Sequence, residues 1–119
     1  MSTIHIIDSY VHNGRVAVLV ELSAESDYAT RTDEFKGLSK DIAMHIAASS
    51  PGSVTEFLEQ PFVKEPTLSV GQVLANISSA LRERISVTRF VRWDTTSAHS
   101  LGPEPPRAPA VIMRMQPRG

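Results

Sequence analysis

The chain has no cysteine among its 119 residues. This excludes disulfides, thiolate metal sites and cysteine nucleophiles, and leaves the compartment undecided on that ground. It has no apolar run approaching the ~20 residues a membrane-spanning helix requires, so a membrane role is not expected. Charge of neither sign prevails: 12 basic residues stand against 13 acidic ones, for a net charge of -1. Bulk electrostatics therefore give no case for binding nucleic acid or an anionic membrane, and the surface suits a protein or small-molecule partner. The opening "MSTIHIIDSYVH" has neither a basic segment followed by an apolar one nor Arg-rich amphipathic character, so it reads as mature soluble protein. No internal repeat is present. What is there is 41% apolar content over 119 residues, which supports one compact domain with a modest core.

Along the chain, Asn13-Gly14 sits between two strand-like runs in "TIHIIDSYVHNGRVAVLVEL" and predicts a hairpin, because both residues tolerate positive φ. In the second run Val16, Val18, Val20 and Leu22 share the face expected to meet the core, with Ala17, Leu19 and Glu21 opposite. Phe35, Leu38, Ile42 and Ile46 recur at helical spacing after Thr32, a plausible N-cap followed by Asp33 and Glu34 in the first turn, and Pro51-Gly52 closes the helix. "FLEQPFVKEP" reads as an extended connection packed by Phe57, Leu58 and Phe62. Ser69 with Gln72 has capping-box spacing and opens a second helix with the stripe Val70, Val73, Leu74, Ile77 and Leu81, despite Gly71 in its first turn. "ISVTRFVRWD" alternates as a third strand, with Ile85, Val87, Val91 and Trp93 on one side and Ser86, Thr88, Phe90 and Arg92 on the other. The order predicts an α+β domain over residues 1–102, a three-stranded antiparallel sheet with two helices packed on one face. From Gly102 the chain holds five of its eight prolines without periodicity, so residues 103–119 are expected to be a disordered tail.

Three groups of residues could carry chemistry. Asp41 and His45, four apart on one helix, have the spacing of an acid–base pair or a two-ligand metal seat, and equally that of an ordinary structural pair. Arg89 and Arg92, with Arg82 and Arg84 before them and Phe90 and Trp93 beside them, could form a patch for single-stranded nucleic acid, or be solvated and paired strand arginines. Tyr28 lies in "AESDYATRTDEF", a polar connection between two segments that want burial. It could staple the following helix, although it lies four residues before Thr32, or stand exposed as a binding hot spot.

Four blocks, "SYVHNGRVAVLVEL", "ESDYATRTDEFKGLSKDIAMHIAAS", "LEQPFVKEPTLSVGQVL" and "ISVTRFVRW", taken in order from about Ser9 to Trp93, resemble the core, or dimerisation, domain of bacterial elongation factor Ts. The resemblance implies a protein-binding module of translation elongation, cytoplasmic and without an enzymatic substrate of its own. Such a module binds the GTPase elongation factor Tu and promotes release of GDP. It implies no cofactor for this chain, since magnesium and nucleotide belong to the partner. In the family a Thr-Asp-Phe-Val loop contacts the nucleotide domain of the GTPase, with the Phe wedged near the magnesium site; the matching residues are Ser26, Asp27, Tyr28 and Ala29. A second contact, Ile-Gly-Glu-Asn, corresponds to Leu81, Arg82, Glu83 and Arg84, so that Arg replaces both the Gly and the Asn and a close backbone approach is disfavoured there.

The departures are as informative as the matches. The family's small N-terminal helical domain has no counterpart before Ile4, only "SPGSVTEF" stands where a long helical stretch separates the first helix from "LEQPF", and the usual Asn-Cys pair is Ser23-Ala24. The sequence therefore reads as a shortened core, expected to form a homodimer because the lost helices uncover apolar surface. The alternative is an interaction paralogue that keeps the fold and has lost exchange.

Overall fold

The computed structural model describes residues 3–95; the expected tail at 103–119 lies outside the described residues. Strands β1 (Ile4–His12) and β2 (Val16–Ala24) form the expected hairpin. Asn13 and Gly14 both take positive φ, 54° and 67°, and the Arg15 N–H closes the turn on the His12 carbonyl at 2.9 Å. Four helical segments and a small hairpin follow: α1 (Asp27–Thr30), α2 (Asp33–Ser49), α3 (Val54–Glu59), β3 (Pro61–Phe62) with β4 (Glu65–Ser69), and α4 (Val70–Leu81). β5 (Ser86–Asp94) then pairs antiparallel with β2, giving the three-stranded order β1-β2-β5.

Both long helices begin where capping chemistry places them. Thr32 Oγ1 accepts from the Phe35 N–H at 3.1 Å, and Ser69 and Gln72 satisfy each other's backbone N–H groups in a complete capping box. α2 ends at Ser50 in the left-handed region, φ 50°, before Pro51. Val18, Val20 and Leu22 from β2 meet Phe35, Leu38, Ile42 and Ile46 from α2 in the core.

Three expectations are corrected. The segment after α2 is not wholly extended: Ser53 caps α3 by accepting from the Glu56 N–H at 3.1 Å, and helix takes up Phe57, Leu58 and Glu59. As a result two long helices do not simply share the sheet. α2 lies on β1 and β2, α3 reaches β5 with Phe57 5.5 Å from Phe90 ring to ring, and α4 rests chiefly on α3 and the β3–β4 hairpin. Gly71 permits that approach, because a Cβ there would stand 3.2 Å from the Leu58 carbonyl. Finally, β5 does not keep one phase. A β-bulge at Thr88–Arg89, opposite Glu21 and Leu22, inverts the alternation, so that Val87 and Phe90 face the core while Val91 and Trp93 face outward.

Candidate partner-binding site

The stretch that carries Tyr28 is a single helical turn with two faces. Ser26 is its N-cap and accepts from the Ala29 N–H at 3.3 Å. Ala29, 1% exposed, and the buried Thr30 pin the turn to the core, while Asp27 and Tyr28 point away and the Tyr28 ring is 73% exposed. Asp27 pairs with Arg31 one turn on and accepts weakly from Thr30 Oγ1 at 3.4 Å. Tyr28 therefore does not staple α2. Thr32 is reached through its own hydroxyl, which donates to the Ala29 carbonyl at 2.8 Å.

The second segment, Leu81 to Arg84, lies directly against this turn. Leu81 is half-buried against the core and Arg82 and Arg84 are exposed. Arg82 occupies the left-handed region, φ 60° and ψ 36°. Its N–H reaches the Ser79 carbonyl at 3.3 Å while the Glu83 N–H reaches Ser78 at 3.1 Å, the two bonds of a Schellman cap. The position the family resemblance gives to glycine is thus a helix terminus that a glycine would suit on backbone grounds alone. Glu83 joins the two segments: its carboxylate accepts from the Glu25 N–H at 3.0 Å, the Ser26 N–H at 2.9 Å and the Ser26 hydroxyl. Glu25 returns the contact by accepting from the Arg84 N–H at 2.8 Å. The family resemblance places Glu83 in the second contact segment, but nothing local reveals that it and Glu25 bond across to partners 57 to 59 residues away.

The other two groups come apart. Asp41 pairs with Lys64 at 3.2 Å, and His45, 0% exposed, is engaged elsewhere. The Val63 N–H donates to His45 Nδ1 at 3.2 Å and Nε2 lies 2.8 Å from Gln60 Oε1, which defines a neutral imidazole protonated at Nε2. Phe62 stacks on the ring and Phe57 meets it edge-on. Burial pushes the imidazole pKa down, against the smaller upward pull of the Gln60 bond. This is a satisfied core histidine, and among the described residues no group of three or more His, Cys, Asp or Glu is arranged to hold a metal ion. The arginines do not share a surface either. Arg89 pairs with Glu21 on the outer face, and Arg92, on the inner one, donates to the Ala47 carbonyl at 3.0 and 3.2 Å and pairs with Asp94. Among the described residues no helix is long and apolar enough to cross a membrane.

Residues 1–57 match the family described as Elongation factor TS, a match that ends inside α3. The chain is similar to proteins named elongation factor Ts. It is 37% identical to that of Koribacter versatilis (strain Ellin345), over 71% of this chain and 60% of the relative. It is 35% identical to that of Solibacter usitatus (strain Ellin6076), over 87% and 71%, and 31% identical to that of Alkaliphilus oremlandii (strain OhILAs), over 75% and 62%. The chain thus spans about 60% of the length of the Koribacter and Alkaliphilus relatives. The aligned spans, 131 to 151 residues, exceed the 119 of this chain, so the relatives carry internal residues that it lacks.

Proposed function

The chain belongs to the elongation factor Ts family, and from that premise we propose that it binds elongation factor Tu through the Asp27–Tyr28 turn and the adjoining Leu81–Arg84 segment and promotes release of GDP. One observation carries the reading: a tyrosine ring 73% exposed on a turn whose other face is buried. A large ring held out by a rigid support is what an interface anchor requires. Asp27, beside it, offers a carboxylate to donors on the partner, at the cost of loosening its exposed pair with Arg31. Ser26 and Ala29 serve the same contact from behind, one as cap and the other as anchor. The thermodynamics need no chemistry from this chain. A factor that binds the nucleotide-free GTPase more tightly than the GDP form must, by linkage, weaken GDP binding by the same ratio.

Capture of elongation factor Tu on the immobilised chain, with and without excess GDP, tests this. Retention that GDP reverses supports exchange, and failure to retain the GTPase in either condition overturns the reading. Retention that GDP does not reverse marks the second reading, an interaction paralogue without exchange, which the arginine at position 82 favours.

The same reading extends to the oligomer. The sheet's outer face carries Ile7 and Val11 from β1, Leu19 from β2 and Val91 and Trp93 from β5, all exposed. Cross-strand register sets Ser9, Leu19 and Val91 in one row and Val11, Ala17 and Trp93 in the next. A second copy presenting the same face would cover this surface in a two-layer sheet packing, as expected of a dimerisation domain.

A further inference from the structure

We propose that Glu83 is a positioning residue for engagement of the GTPase: it holds the turn bearing Asp27 and Tyr28 in its binding geometry and makes no contact of its own with the partner. This rests on the partner reading above and adds to it the means by which the turn is kept rigid. α1 is four residues long, a single turn that has no stability of its own, because one turn fixes many backbone angles for a single hydrogen bond. Its fixed orientation must come from tertiary contacts. Burial of Ala29 and Thr30 supplies one of these at its C-terminal side. At the N-terminal side, where the chain leaves β2, the restraint is Glu83.

Both of its carboxylate oxygens are committed. Oε1 accepts the Glu25 and Ser26 N–H groups at 3.0 and 2.9 Å, and Oε2 accepts the Ser26 hydroxyl. The hydroxyl oxygen in turn accepts the Ala29 N–H, so an unbroken chain of hydrogen bonds runs from Glu83 into the turn. Bonds from an ionised acceptor to backbone N–H groups are stronger than neutral ones, and here they fall on consecutive residues, which fixes direction as well as distance. The Glu25 carboxylate bonded to the Arg84 N–H completes a reciprocal clamp. Glu83 is half-buried and turned inward, whereas Arg82 and Arg84 on either side of it are exposed. Within this segment the arginines are therefore placed to meet a partner and the glutamate is not.

A double-mutant cycle on affinity for nucleotide-free elongation factor Tu, paired with amide hydrogen exchange on the free chain, tests the assignment. Glu83→Ala should weaken binding by on the order of tenfold, and should speed exchange of the Glu25, Ser26 and Ala29 amides while leaving the core amides protected. Glu83→Gln should recover most of both, since its carbonyl oxygen can still accept the two backbone N–H groups. In a Tyr28→Ala background the Glu83→Ala loss should largely vanish. Additive losses would place Glu83 on the partner, and unchanged amide exchange in a folded Glu83→Ala chain would remove the clamp; either overturns the proposal. A wild-type chain without affinity for the GTPase overturns the partner reading and the positioning role with it, even where the amides show the clamp.

Discussion

Tyr28 and Ala29 are neighbours with opposite surroundings, one standing in solvent and the other enclosed, and one turn of helix is enough to separate them. That division lets Tyr28 be replaced without disturbing the core. His45 is the contrasting residue, an ionisable side chain held neutral within the core. Its folded pKa lies below its ordinary value of 6.5, so as pH falls through 6.5 the unfolded chain takes up a proton that the folded chain refuses. Stability must then decline with a slope of up to about 1.4 kcal/mol per pH unit, until the folded pKa is reached. Urea unfolding at pH 7.5 and 5.5 should show this loss, and His45→Gln should flatten it. The carboxylates act lower. Partial burial raises the Asp8 carboxyl, but hydrogen bonds from Lys40, Ser39 and the Ser9 N–H outweigh it, and Arg89 holds Glu21 down, so their loss of stability begins only as pH falls through the ordinary carboxylate values of 3.8 and 4.5. Equal stability of the wild type at pH 7.5 and 5.5 would contradict the assignment of a neutral, buried His45.

At the scale of elements, the connection between α4 and β5 combines two demands, ending a helix and meeting the turn of α1. The helix ends on Arg82 with φ 60°, a conformation that costs a residue with a side chain roughly 1–2 kcal/mol. Arg82→Gly should therefore raise stability by about 1 kcal/mol, measured by the denaturant midpoint at constant slope; no change or a loss would mean the guanidinium makes a compensating contact. What the sequence discloses of such elements depends on how local their causes are. Caps at Thr32 and Ser69, the Asn13-Gly14 turn and the inward face of β2 rest on residues close to one another in the chain, and all were legible. The bulge in β5 was not, because it arises from pairing with β2 across the sheet, and its effect is to part Val91 and Trp93, which are exposed, from the buried Val87 whose side they were expected to share. Helix α3 has a local sign, Ser53 followed three residues later by Glu56, which stands against the two prolines, Pro61 and Pro66, that suggest an extended segment. At the candidate site Tyr28 stands out as a ring on a polar connection and the family resemblance adds Asp27 and the Leu81–Arg84 segment, while the bonds from Glu83 to the turn required the fold.

For the whole molecule, the open face of the sheet sets the expected assembly. A stable dimer commonly buries on the order of 800 Å² on each partner, and the exposed apolar residues Ile7, Val11, Leu19, Val91 and Trp93 lie where that contact would form. Trp93 is the single tryptophan of the chain. Its emission should shift to longer wavelength on dilution as dimers part, and Leu19→Glu should give a monomer in sedimentation with its secondary structure intact. A wild type that sediments as a monomer at high micromolar concentration would contradict the dimer.

On the proposed function, Tyr28 belongs to a partner's surface and not to this chain's core. The most direct test is release of a fluorescent GDP analogue from elongation factor Tu, measured beside denaturant unfolding for wild type, Tyr28→Ala and Tyr28→Phe. Removing an aromatic anchor typically costs about 2 to 4 kcal/mol of binding, or roughly 30- to 1,000-fold, whereas losing an exposed ring changes stability by no more than about 0.5 kcal/mol. Tyr28→Ala is expected to abolish acceleration of GDP release with its unfolding curve unmoved, and Tyr28→Phe to retain it. Undiminished release by Tyr28→Ala, or a stability loss above about 2 kcal/mol in that variant, would contradict that placement of Tyr28.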